Sequence, residues 1–136
     1  MRDLEAKKRS DLMNNWSLYS DIGPIIVSIQ LRDLGLDSLP VDFFECLPNL
    51  EELTVDKNKL TSIPVPKKPH PLQTLSISKN NVSSLDVEQF SGTLTVLHLD
   101  GNPLRELPPS LFLATKLSEL NARNIGLKEV PDQIGK

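Results

Sequence analysis

The chain has 136 residues, one domain's length, and its 15 Lys and Arg against 18 Asp and Glu leave a formal charge of −3 at pH 7. So balanced a charge excludes recognition of nucleic acid or an anionic membrane by bulk electrostatics, and the single cysteine, Cys46, excludes an intrachain disulfide. The two histidines and lone cysteine give no spacing suited to zinc, so neither a metal nor a cofactor is expected.

The N-terminal "MRDLEAKKRS" is charged where a signal peptide would be apolar. No stretch approaches the roughly 18 apolar residues of a membrane-spanning helix. The expectation is a cytoplasmic protein with no membrane and no nucleic-acid partner. Leu12, Met13, Trp16 and Tyr19 fall at helical spacing, and Gly23-Pro24 breaks the chain before the first strand. This predicts an amphipathic capping helix and lead-in over residues 1–25.

From residue 26 one pattern recurs: "IVSIQLRDLGLDSLP" at Ile26, "LEELTVDKNKLTSIP" at Leu50, "LQTLSISKNNVSSLD" at Leu72, "LTVLHLDGNPLRELP" at Leu94 and "LSELNARNIGLKEVP" at Leu117. The starts are 24, 22, 22 and 23 residues apart. Every unit has apolar residues at positions 1, 4, 6, 11 and 14; Pro follows position 14 in four units, and Asn stands at position 9 in three. Positions 4 and 6 share one side of a short strand while 3, 5 and 7 share the other. A single unit cannot bury its apolar side, but a stack of five makes one continuous core. Asn58, Asn80 and Asn102 then stand in a ladder, each amide able to bond neighbouring backbone where the strand has ended.

These units resemble leucine-rich repeats, whose pattern L-x-x-L-x-L-x-x-N/C-x-L they follow over residues 26–136. The Leu-Pro pairs after position 14, as at Leu39-Pro40 and Leu107-Pro108, are similar to intracellular repeats of signalling and polarity scaffolds. The resemblance implies an α/β repeat solenoid: a curved right-handed coil with a concave parallel sheet and irregular or short helical segments on the convex side.

The end units depart from the pattern. Position 9 is Leu34 in the first and Ile125 in the last, each followed by Gly, so the asparagine ladder is expected to stop at both ends. The return "VPKKPHP" is too rich in proline for a helix. "VDFFECL" and "PSLFLAT" are read as single helical turns, with Phe44, Leu47, Leu111 and Phe112 closing the outer core. His70, between two prolines, reads as a solvated loop residue, and Cys46 as a small apolar core residue. The unit beginning at Leu117 breaks off mid-return. That predicts either a fragment of a longer protein or an open, uncapped edge, and hence a monomer or a weak edge-mediated dimer.

His98 and Asp100 invite reading as a catalytic base with its orienting carboxylate. Both fall on outward positions of one repeat with no nucleophile evident, so no catalytic residue is assigned. The outward columns form a polar surface of both charge signs without aromatic residues, suited to a protein or peptide partner. Arg32, Asp56, His98, Asp100 and Arg123 are expected to lead its binding. Two other roles fit the same pattern: the regulatory repeat segment of a larger signalling enzyme such as a kinase or GTPase, and a structural scaffold or spacer.

Overall fold

The computed structural model describes residues 3–5, 25–39, 42–105 and 107–126. Six three-residue strands lie side by side in chain order in one parallel sheet: β1 (Asp3–Glu5), β2 (Ser28–Gln30), β3 (Glu52–Thr54), β4 (Thr74–Ser76), β5 (Val96–His98) and β6 (Glu119–Asn121). From β2 onward each strand occupies positions 3 to 5 of a repeat, and the register joins like to like. Ile29 pairs with Leu53, Leu53 with Leu75, Leu75 with Leu97, and Leu97 with Leu120. Parallel neighbours need a crossover, and four returns between β2 and β6 supply it.

Short strands suffice because each coil bonds its neighbour beyond the strand ends. The position 2 amide of each later coil donates to the position 2 carbonyl of the one before, as in Gln73 N–H to Glu51 O at 2.8 Å. Position 6 donates forward to position 5 of the next coil, as in Val55 N–H to Ser76 O at 2.9 Å. Position 8 donates to the next position 7, as in Lys57 N–H to Ser78 O at 2.9 Å. Position 8 itself is left-handed in every coil: Asp33, Lys57, Lys79, Gly101 and Asn124 have φ between 54° and 72°. This bend lifts the chain out of the sheet after position 7, at a steric cost for every residue except Gly.

The inward residues at positions 4 and 6 of the first four coils, Ile29 and Leu31 through Leu97 and Leu99, are wholly buried; Leu120 and Ala122 of the fifth are half-buried. The returns carry a second layer. The segment at 42–47 is a turn closed by Cys46 N–H to Asp42 O at 2.9 Å, and 3-10 turns form at Glu88–Phe90 and Pro109–Leu113. The turn at Glu88–Phe90 is not among the helical turns expected from the sequence. Phe44, Leu47 and Leu111 are buried in this layer, but Phe112 is 49% exposed. The tight 3-10 turn delivers only Leu111 to the core and leaves Phe112 and Leu113 facing out.

At the N-terminal edge, Asp3–Glu5 pairs in parallel with β2. The segment expected to be a capping helix therefore contributes a strand at residues 3–5, while Leu12, Met13, Trp16 and Tyr19 lie outside the described residues. So does the stretch after Gly126, on which the expectation of an uncapped end rests.

Leu75→Ala and Leu97→Ala are each expected to cost about 2–5 kcal/mol in denaturant titrations, as truncations of wholly buried core side chains. Two glycines supply a backbone test. Gly101 has φ +72, and a Cβ there would sit 3.3 Å from the Lys79 backbone, whereas Gly92 has open space around it. Gly101→Ala should destabilise by about 1–2 kcal/mol, and Gly92→Ala should be neutral or slightly stabilising.

Candidate functional site

The register gathers residues from five separate stretches onto one sheet face. Position 3 contributes Ser28, Glu52, Thr74, Val96 and Glu119; position 5 contributes Gln30, Thr54, Ser76, His98 and Asn121. Position 7 adds Arg32, Asp56, Ser78, Asp100 and Arg123 where the strands run out. Arg32 and Arg123 are exposed at opposite ends of this row, and Asp56, His98 and Asp100 are half-buried between them.

Three of these side chains are bonded to the neighbouring coil. Asp56 Oδ1 accepts the Ser76 hydroxyl at 2.6 Å and the Ser78 N–H at 3.0 Å. Asp100 Oδ1 accepts the Arg123 N–H at 2.9 Å. His98 Nε2–H donates to Glu119 Oε2 at 2.6 Å. The histidine's acidic partner is thus Glu119, two residues back on the adjacent strand, and Asp100 is engaged elsewhere. Long side chains on adjacent strands meet along this diagonal. Glu119, Ser76 and Ser78 were not singled out from sequence, although the diagonal between columns 3 and 5 was available to find the first.

Beneath this face the three asparagines hold the coils together. Asn58 Nδ2 donates to Leu31 O at 2.6 Å and Val55 O at 2.8 Å; Asn80 Nδ2 to Val55 O at 3.0 Å and Ile77 O at 2.9 Å; Asn102 Nδ2 to Ile77 O at 2.9 Å and Leu99 O at 3.0 Å. Each Oδ1 accepts an amide of the preceding coil: Leu34 and Leu36 for Asn58, Leu60 for Asn80, Val82 for Asn102. Because every amide reaches backwards, the first coil is served by Asn58 and needs no asparagine of its own. The expected stop at both ends is therefore one-sided. At the far end Ile125 cannot serve the fourth coil through its side chain, and Arg105 instead adopts φ 67° and donates its N–H to Ile125 O at 2.6 Å.

Two residues elsewhere bear on chemistry. His70 is not solvated: it is 7% exposed, edge-on to Phe44 and Phe90 at centroid distances of 5.1 and 5.8 Å. Its Nε2–H donates to Leu47 O at 2.9 Å, which makes Nδ1 the acceptor of the neutral ring, and that atom has no hydrogen-bond partner among the described residues. Burial lowers its pKa from the ordinary 6.5, against the opposing pull of the Leu47 carbonyl, the Glu45 charge and the Phe44 backbone. Cys46 is only partly buried, and its thiol donates to Asp42 Oδ2 at 3.3 Å. Burial, that hydrogen bond and the charges of Asp42 and Glu45 push the thiol up to about 11, the opposite of an activated nucleophile. Among the described residues no group of three His, Cys, Asp or Glu is placed to hold a metal ion, and no helix is long and apolar enough to cross a membrane.

The Leucine Rich Repeat family model matches residues 93–114, the coil that contains β5 and the 3-10 turn at Pro109–Leu113. No curated protein matches the chain. The matched coil is one of a stack of parallel coils in common register, and the two findings together support a leucine-rich repeat protein. Solenoids of this family are generally protein-interaction modules and typically not enzymes.

Asn80→Ala and Asn102→Ala should each cost about 1–3 kcal/mol, since each leaves a buried N–H of the preceding coil unpaired, that of Leu60 or of Val82; thermal or denaturant unfolding checks this. His70 predicts a pH dependence. Its folded pKa lies below the unfolded value, so on acidification the unfolded chain takes up the proton first. Stability should therefore be fully present above about pH 6.5 and be lost as pH falls through the lowered folded value. Subtracting the same titration of His70→Leu isolates that loss, and an identical pH profile in the variant would contradict it.

Proposed function

We propose that this chain is a non-enzymatic protein-interaction module of the cytoplasm, and that a protein or peptide partner lies across the concave sheet face of its coil. The right-handed turn of that coil, an N-terminal helical cap and the extent of the five repeats over 26–136 belong to the same proposal. The observation that supports it best is the alignment of the five outward columns, which makes one continuous polar surface from residues far apart in sequence.

Within that surface Arg32 and Arg123 are the exposed, bidentate-capable groups. The carboxylates of Asp56 and Asp100 are held by one oxygen through the neighbouring coil, so the second oxygen of each is oriented before any partner arrives. A partner then orders few further side chains on this face, and ordering is a principal cost of association. His98, anchored on Glu119, adds a ring standing on the same face.

The test is capture from cell extract on immobilised protein, identified by mass spectrometry, with wild type against the Arg32→Glu and Arg123→Glu pair. A protein retained by the wild type is expected to bind the paired variant at least tenfold more weakly. Unchanged retention by a variant whose unfolding curve matches the wild type would remove the sheet face as the binding surface. Asp56→Ala should lower stability more than His98→Ala, because it releases a hydroxyl and a backbone N–H rather than one exposed carboxylate.

A further inference from the structure

The return side of the stack, away from the sheet, holds a groove that binding at the sheet face does not use. It has a volume of about 340 Å³ and lies where the return of the second coil crosses that of the first. Its walls are Phe44 and the rings of Pro48, Pro66, Pro69 and Pro71. That volume lies at the lower end of the roughly 300–1,000 Å³ of clefts that enclose whole small ligands, and it accommodates a single bulky side chain. Proline fixes φ, and four prolines around one opening leave it little freedom to collapse when empty. The floor is fixed as well: Phe44 packs edge-on against His70 and Phe90 at 5.1 Å from each, and the return is tied down by His70 N–H to Gln89 O at 2.8 Å and by the Thr93 hydroxyl to His70 O at 3.2 Å.

The rim carries charge of one dominant sign. Lys67 and Lys68 are both exposed at the groove, and neither ammonium has an ion-pair partner among the described residues. The one carboxylate present, Glu45, accepts the backbone N–H of Lys67 at 2.9 Å, so it fixes the strap that carries the lysines. An apolar slot beside two free ammonium groups is complementary to an apolar anchor flanked by carboxylates.

We infer that this proline-walled groove is a second docking site, on the opposite side of the molecule from the sheet, for an acidic peptide segment of a partner protein with one aromatic residue as its anchor. The anchor ring lies against Phe44 and the prolines, and the flanking carboxylates pair with Lys67 and Lys68. The site is independent of the sheet face, and the two fail separately.

Fluorescence anisotropy of a labelled pentapeptide, one tryptophan between two pairs of aspartates, titrated with the full chain tests this. Saturable binding is expected, at least tenfold weaker for the peptide with alanine in place of tryptophan and for the one with asparagines in place of aspartates. The Lys67→Glu and Lys68→Glu pair should abolish it, the Lys67→Gln and Lys68→Gln pair should weaken it, and the Arg32→Glu and Arg123→Glu pair should leave it unchanged. Amide chemical-shift changes should concentrate at residues 44–48 and 66–71. Absence of binding, binding indifferent to the tryptophan, or binding retained by both lysine variants would overturn the proposal. So would indole-3-acetate binding as tightly as the peptide, which would make the groove a site for small carboxylates.

Discussion

The backwards-reaching asparagine amide is the constraint on which the rest of the stack depends. A coil of this kind turns away from its sheet immediately after position 7, which leaves carbonyls at position 6 and amides at position 11 buried without strand partners. Asn58, Asn80 and Asn102 answer both needs, and the carbonyls of Val55 and Ile77 each receive two of them. The result is an unbroken series from Leu31 O to Leu99 O in which side-chain amide and backbone carbonyl alternate. Apolar burial alone would hold the coils together but would not fix their register, since a Leu column tolerates sliding that a hydrogen-bonded amide does not. The direction of reach also explains why the two ends differ. An apolar residue at position 9 is harmless in the first coil, where Leu34 and Leu36 borrow Asn58. In the last coil Ile125 serves the core instead, and the contact between the fourth and fifth coils there is a backbone bond from Arg105, in a left-handed conformation, to Ile125 O.

The polar face inherits its order from the same geometry. Position 7 is the last residue before the left-handed bend at position 8, and an aspartate there reaches the next coil's backbone. Where serine occupies position 7, as at Ser78, its own N–H becomes the donor for the aspartate before it. Acidic and small residues therefore complement each other between adjacent coils, and the surface is both a set of caps and a set of ligand groups. The side chains of the two arginines at its ends take no part in this internal bonding among the described contacts, which is why charge reversal there separates recognition from stability.

Period and alternation in the sequence carried most of this architecture. A spacing of two between Leu97 and Leu99 puts both into the core, and repetition at 22 to 24 residues puts Leu75 and Leu97 side by side. What a linear pattern could not carry was the returns, whose lengths differ and whose residues do not align. His70 is the clearest instance. Flanked by prolines and lysines it reads as wet, yet between Ile63 and Leu72 the return offers little else to meet the Phe44 and Phe90 rings on either side of it. A signal existed in the aromatic residues of the flanking returns, but only stacking reveals it. Phe112 is the converse: an apolar residue in the expected segment, turned outward because a 3-10 turn shifts each residue's direction relative to an α-helical one. Glu119 was missed for a third reason, since pairing along a diagonal needs the register as well as the column.

In a solenoid each coil contacts only its neighbours, so stability is a sum of local interfaces and any return can depart from the pattern provided its two interfaces remain closed. The second coil uses that freedom. It keeps the strand, Asn58 and the position 8 bend, while its return replaces apolar filling by proline rings and one buried histidine. Such a return contributes less to the core than the Phe90 return does, and its proline walls leave a groove open at the surface. A segment that had only to close the stack would gain by filling that space with a larger apolar side chain, as the first coil does with Phe43 and Phe44. The stiff, under-filled return beside unpaired lysines is locally inferior for stability and locally suited to binding. That combination is expected where function and packing compete for the same residues.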